Sequence, residues 1–354
     1  MKTQTAKIST APIVLACVDQ SPYATFVTDY AAWAARRLNT GLELLHVIDR
    51  NPELGPDQDH SGAIGFNEQE NLLKKIVDED EQRSRLARET GRVFLNQLKQ
   101  RAEQQADSHT GSGHKDEHQH EHQNDHQYEY QSEYQSEHQN SHQPKQTPLQ
   151  VDMRQRHGSL VDSLLERQDQ TTLVVMGRRG ASSEAMDFDD AGKPSNAGIH
   201  NNPAKHTLGS NLESVVRSMK CPILSVTDEF KVPTHLMLAY DAGSASRKGL
   251  DMVATSPAFQ GIQCSILMVK DKASKDAARQ LEQAKHILTE AGLDVDAHLL
   301  IGDLESLVAQ SIETLGIDLL VMGAYTHSPW RSLFMGSHTT DLLRAARVPT
   351  LLLR

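Results

Sequence analysis

The sequence predicts an α/β protein built from two tandem, open, doubly wound domains, each a five-stranded parallel sheet flanked by helices. Two observations carry this. Short, continuous apolar runs alternate with helical segments along most of the chain, the pattern of parallel strands covered on both faces. The second half also repeats landmarks of the first in the same order. A length of 354 residues suits two domains better than one.

Residues 12–18 (PIVLACV) read as a buried strand, and Asp19-Gln20-Ser21-Pro22 as a turn and helix cap. An alanine-rich helix over about 22–39 stops at Asn39-Thr40-Gly41, and LELLHVI (42–48) is the next strand. A long charged amphipathic helix spans 68–101, with Leu72, Leu73, Ile76, Leu86, Val93, Phe94 and Leu98 among its apolar positions. A strand (148–154), a helix (159–167), a strand (171–176) with Gly177, a helix (210–219) and CPILSVT (221–227) complete the half. The second half is shorter. Strands at 235–240, 263–269, 294–300, 317–322 and 348–353 alternate with helices, among them 275–291, 303–315 and 337–346.

A shift of 127 positions lays Gly209-Ser210 on Gly336-Ser337, Arg217 on Arg344 and Pro222 on Pro349. LVVMG (173–177) likewise matches LLVMG (319–323). The chain reads as a duplication. Domain 1 covers 1–229, enlarged by loop insertions at about 102–147 and 181–207, and domain 2 covers 234–354.

Charge narrows the function classes. The window 102–143 holds nine acidic residues and one basic, Lys115, and so carries most of the formal net charge of −11. The rest is nearly neutral, with no basic surplus for coating nucleic acid. No apolar run is long enough to span a membrane and no signal-peptide core opens the chain, so a cytoplasmic protein is expected. Three separated cysteines, Cys17, Cys221 and Cys264, read as buried reduced thiols.

The candidate site follows the fourth strand of each copy. Copy two reads Gly323-Ala-Tyr-Thr326, nine further residues, then Gly336-Ser337; copy one reads Gly177-Arg178-Arg179-Gly180, then 28 residues, then Gly209-Ser210. A glycine after a strand lets backbone approach a ligand, and a Gly-Ser pair opening a helix offers unpaired N–H groups at the positive end of its dipole. Phosphate suits such a place, and open α/β sheets bind ligands at the carboxyl ends of their strands. Asp19 and Asp241 follow each first strand, where a carboxylate could accept from a ribose hydroxyl or a base amine. Taken alone, each reads more readily as shaping a turn or capping a helix, and so do the glycines as turn formers; the recurrence of Asp, the glycine motif and Gly-Ser in both copies raises nucleotide binding above that. Arg178 and Arg179 read as phosphate clamps or, preferably, as solvated side chains. Thr326 replaces the second glycine in copy two, and copy one lengthens the loop. No catalytic set appears: Ser210 and Ser337 lack a His/acid partner and no Walker lysine follows the glycines, so no enzyme is expected beyond slow ATP hydrolysis.

These motifs resemble the universal stress protein family in its tandem two-domain form. The resemblance implies a strand order of 3-2-1-4-5, an adenine nucleotide (ATP, or AMP or ADP, with or without Mg) between the first and fourth strands, and final strands of two domains pairing edge to edge. Here both partners can come from one chain, with a further homodimer still open. It implies that Asp19 contacts adenosine, that Val47 presents its backbone to adenine, and that Gly177, Gly180, Gly209 and Ser210 hold ribose and phosphates. In copy two the counterparts are Asp241, Val269, Gly323, Gly336 and Ser337. The function so implied is nucleotide-dependent signalling or protection in a cytoplasmic stress response.

The 102–143 window has eight histidines among Gln, Glu and Asp and reads as a solvating, disordered insertion. Metal chelation by spacings such as His118-x-His120-x-His122, or protonation near pH 6, are its sharper readings. The rival for the whole chain is an interaction scaffold that binds no nucleotide and carries a metal- or pH-responsive insertion.

Overall fold

The computed structural model describes residues 11–48, 66–108, 148–178, 210–272, 274–324 and 346–354. The first half supplies β1 (Ile13–Cys17), α1 (Tyr23–Leu38), β2 (Gly41–Ile48), α2 (Phe66–Ser108), β3 (Val151–His157), α3 (Leu160–Leu165), β4 (Thr171–Gly177), α4 (Ser210–Ser218) and β5 (Ile223–Val226). The second supplies β6 (His235–Ala239), α5 (Ser244–Thr255), β7 (Gln263–Lys270), α6 (Lys275–Glu290), β8 (Val295–Ile301), α7 (Leu304–Leu315), β9 (Leu319–Gly323) and β10 (Thr350–Leu353). Residues 337–345 of the last expected helix and the His-rich tract from 109 lie outside the described residues. No helix among the described residues is long and apolar enough to cross a membrane.

The strands form one ten-stranded sheet in the order β3-β2-β1-β4-β5-β10-β9-β6-β7-β8. Each half has the expected 3-2-1-4-5 order, and every pairing within a half is parallel. The seam is antiparallel: β5 meets β10 with Ser225 opposite Thr350 and Ile223 opposite Leu352. The two halves therefore run in opposite senses, and their carboxyl rims lie on opposite edges of the sheet.

Alternation along each strand divides the core between two faces. Val14, Ala16, Leu42 and Leu44 join Leu236 and Leu238 on the face covered by the alanines of α1, by Leu95, Leu98 and Ala102 of α2, and by α5 and α6. Leu15, Leu45 and Val174 join Met237 and Leu320 on the other face, under Leu164, Val215, Val216, Val308 and Ile312 of α3, α4 and α7. Helix α1 ends at Asn39, which adopts the left-handed φ of 51° that asparagine tolerates at a cap. Beyond the seam, Tyr30 of α1 stacks edge-on with Phe230 of the linker at 4.8 Å and accepts from the Lys231 N–H. Arg37 donates to the carbonyls of Ala258 and Gln260 in the second half.

Helix α2 differs most from its counterpart. It has 43 residues where α6 has 16, and it runs past the start of the charged window, burying Ala102. The Ala102 carbonyl accepts from Arg36, and Arg101 grips the buried Asp29 through two hydrogen bonds of 2.7 and 2.6 Å. The expected strand 148–154 lies at Val151–His157 instead.

Candidate functional site

In each half the chain reverses its direction of travel across the sheet between the first and fourth strands, at β1/β4 and β6/β9. Connections leave such a switch point to opposite faces, and the carboxyl rim at that point is where open α/β sheets place a ligand crevice.

Asp19 and Asp241 stand at these crevices, and both shape turns. Oδ1 of Asp19 accepts from the Ser21 N–H at 3.1 Å and from the Ser21 hydroxyl. Oδ1 of Asp241 accepts from the Gly243 N–H at 2.8 Å and from the Ser246 hydroxyl at 2.6 Å. Such turns replace backbone bonds at a helix start. Ala242 is bent to a φ of 65° between them, a conformation costing an L-residue roughly 1–2 kcal/mol. Among the described residues, no hydrogen bond reaches Oδ2 of Asp241. That oxygen keeps its capacity to accept.

Val47 and Val269 lie one step past the end of the first strands. The last β1–β2 pair is Cys17 with Leu45, and Val18 N–H then donates to the Leu45 carbonyl at 2.9 Å. On the opposite edge of β2, Leu42 N–H and Ile48 C=O bond to the β3 side. Because backbone groups alternate along a strand, Val47 directs its N–H and C=O toward β1, beyond where β1 ends. Val269 repeats this: Tyr240 N–H donates to Leu267, and Lys270 C=O accepts from Gly302 on the far side. His46 adds something the motifs did not foretell. Its buried ring donates from Nδ1 to the Val18 carbonyl at 2.9 Å and meets Phe94 of α2 edge-on. The imidazole thus takes the carbonyl where β1 would continue the ladder. Met268, fully buried, stands there in the other half.

Gly177 pairs with Val226 and Gly323 with Leu353 at the rims of the fourth strands. Gly323 has a packing reason to be glycine: a Cβ there would stand 2.6 Å from the Ala245 Cβ and 3.3 Å from the Ser246 nitrogen. The first turn of α5 therefore lies directly on the end of β9, beside the Ser246 hydroxyl that binds Asp241. Ser210 opens α4. Gly180, Gly209, Gly336 and Ser337 lie outside the described residues.

Arg178 is not a solvated side chain. Its guanidinium donates to the carbonyls of Ala346 and Val348, both at 2.9 Å, just before β10. The antiparallel seam makes this geometry, since the start of β10 lies beside the end of β5. The first crevice's rim is thereby tied to the second half. Of the three thiols only Cys264 is buried as expected; Cys17 and Cys221 are half-buried, their side chains still largely shielded. Burial raises the Cys17 and Cys264 thiols to about 12 and the Cys221 thiol to about 11, so none carries appreciable thiolate near neutral pH.

A family model described as "Universal stress protein family" matches residues 12–227 and 234–354, one match in each half. The chain belongs to the universal stress protein family. A universal stress protein of Synechocystis sp. is 26% identical over 343 residues, 96% of this chain and 99% of that protein. A crystal structure of an Archaeoglobus fulgidus universal stress protein superposes with a TM-score of 0.56 at 15% identity, covering 97% of this chain and 96% of that one. A Pseudomonas aeruginosa structure assigned provisionally to the same family gives 0.51 at 13% identity, covering 97% and 93%. At such identities the two structures establish the shared fold of this universal stress protein.

Proposed function

We propose that this universal stress protein binds an adenine nucleotide, ATP or its AMP or ADP relatives, at the crevices between β1 and β4 and between β6 and β9. It then acts in stress response by nucleotide-dependent binding rather than by catalysis. The observation that carries the reading is a coincidence repeated at both switch points. Each rim brings together a first-strand aspartate whose turn engages Oδ1, a valine backbone edge beyond the last rung of its ladder, and a glycine ending the fourth strand. Adenine presents an acceptor beside an amine donor, which the N–H and C=O of Val47 or Val269 complement. The carboxylate of Asp19 or Asp241 accepts from ribose or base. Phosphates belong with Gly177, Gly180, Gly209 and Ser210, and in the second half with Gly323, Gly336 and Ser337, where helix-start N–H groups favour anions. A bound Mg would be carried by the phosphate chain.

Titration calorimetry with ATP, ADP and AMP, with and without Mg, tests this on the full chain. Asp19→Asn and Asp241→Asn keep the Oδ1 that shapes each turn and remove the charge. A hydrogen bond to a charged group is worth about 1.5–3 kcal/mol, so each variant should weaken its own site by roughly 10- to 100-fold. No heat from any adenine nucleotide in the wild-type chain would replace this reading with the scaffold.

A further inference from the structure

We infer that one flank of α2 is a docking surface for this chain's own acidic, histidine-rich tract, residues 116–143, and that protonation of the tract's histidines releases it. From Arg83 to Arg101, α2 carries six Lys or Arg residues against one acid, Glu89, in a chain of formal net charge −11. Its counterpart α6 balances three Lys or Arg with three acids. At about 100° per residue, Arg85, Arg88, Arg92 and Lys99 fall within about 60° of one another. They form a stripe beside the side that buries Gly91, Leu95, Leu98 and Ala102. Arg85, Arg88 and Arg92 are exposed. Arg85 meets Glu89 at 3.3 Å and Lys99 meets Glu103 at 3.8 Å, both in open solvent, where such pairs contribute little. Arg88 turns its Nε to the Ser84 carbonyl, and neither it nor Arg92 forms an ion pair among the described residues. The elements packed against α2 do not neutralise the stripe. Asp29 of α1 is held by Arg101, and Arg36 and Arg37 donate to carbonyls. Glu43 of β2 is held by Arg154 and Arg167. On β3, Asp152 accepts from Gln150 and Arg156 pairs with Glu166. His46 is buried against Phe94, and His157 ends β3.

The tract, which lies outside the described residues, supplies the opposite charge. It holds seven acidic residues, six histidines and neither Lys nor Arg. Six of the acids recur at every fourth position, from Glu117 through Glu121, Asp125, Glu129 and Glu133 to Glu137. The tract follows α2, which ends at Ser108, and the chain returns at Val151 of β3, a strand packed on the same helix. A flexible chain of this length spans about 30 Å, and the stripe covers about 21 Å of helix. Tethering at both ends gives an effective concentration in the millimolar range. Several exposed ion pairs of about 0–1 kcal/mol each then suffice to hold it. Histidine supplies the release. Imidazoles with an ordinary pKa of about 6.5 are neutral above about pH 7.5, and six protonations cancel six of the seven negative charges. Docking against Lys and Arg favours the neutral rings, so by linkage their protonation weakens docking.

Carbodiimide coupling of the full chain, read by peptide mass spectrometry on the monomer, tests this without any variant. Lys99 should couple to carboxylates of the tract, with the Lys99–Glu103 pair as internal reference. The ratio of the two products should fall about 10-fold between roughly pH 7.2 and pH 5.5. Replacing the tract's six histidines by glutamine should preserve the neutral-pH ratio at pH ~5.5. Arg85→Gln with Arg88→Gln and Arg92→Gln should lower the ratio at pH ~7.2 by about 5- to 10-fold although Lys99 remains, with far-ultraviolet dichroism unchanged. No coupling of Lys99 to the tract at neutral pH, a ratio that holds on acidification, or a ratio indifferent to the arginines would each overturn the inference. Binding of the intact chain to phosphatidylserine vesicles or duplex DNA through these arginines at neutral pH would show that the stripe is open to another polyanion, which also overturns it.

Discussion

Replacing Gly323 by alanine asks whether this rim glycine serves packing as well as ligand approach. The added Cβ would stand 2.6 Å from the Ala245 Cβ, about 1 Å inside ordinary contact, and neither neighbour is the end of a flexible side chain. Ala245 is buried, and the next residue is Ser246, which holds Asp241. The first turn of α5 or the end of β9 must move, at the roughly 1–3 kcal/mol typical of an overfilled core. Urea denaturation of the apo chain should show this loss, and the melting temperature should fall by about 3–10 °C. A double-mutant cycle isolates the cause. Ala245→Gly removes the opposing methyl, leaving contacts of 3.3 Å to the Ala245 carbonyl carbon and the Ser246 nitrogen. The pair should recover about 1–2 kcal/mol relative to additivity. A Gly323→Ala chain within ~0.3 kcal/mol of wild type, or an additive cycle, would refute the packing explanation and leave this glycine to the ligand alone.

Three further outcomes are expected. Glu43 is buried between Arg154 and Arg167, so Glu43→Ala should cost about 3–5 kcal/mol in urea denaturation by stranding two guanidinium groups; replacing all three by apolar residues should recover most of it. Arg178→Met keeps the aliphatic stem but removes the donors to Ala346 and Val348. It should destabilise the chain by about 1–3 kcal/mol, read the same way. Cys264, held at about 12 by burial against an ordinary 9.0, keeps its proton when the unfolded chain loses it. Stability from this group is full below pH 9 and falls as pH rises toward 12, so Cys264→Ala should flatten the decline of the urea midpoint across that window.

Much of the fold was legible because parallel strands buried on both faces are written as apolar runs. LLHVI and LVVMG identify β2 and β4 without help from their neighbours. Strand β3 was displaced because VDMRQRH lies at the edge and carries no such run; its register is set by pairing with β2, from Leu42–Val151 to Ile48–His157. The end of α2 was obscured by composition, since the acidic window begins while Ala102 is still packed against α1. Asp19 and Asp241 stand just past β1 and β6, where their place in the sequence puts them, and the reading of them as turn-formers describes the hydrogen bonds they make. His46 had a signal, a polar ring within an otherwise apolar strand, but its partner Val18 is a backbone carbonyl with no sequence signature. Arg178 had none: its acceptors lie in the other half of the chain, and only the antiparallel seam brings them near.

That seam has a geometric consequence. Because one half of the sheet is turned over relative to the other, the two mouths open in opposite directions, like doors at the ends of a corridor. A protein that covers one doorway leaves the other clear, and no single small molecule reaches both. What joins the two ends is the wall they share, made of the β5–β10 seam, the arginine bolted across it, and Arg37 reaching over from the first half.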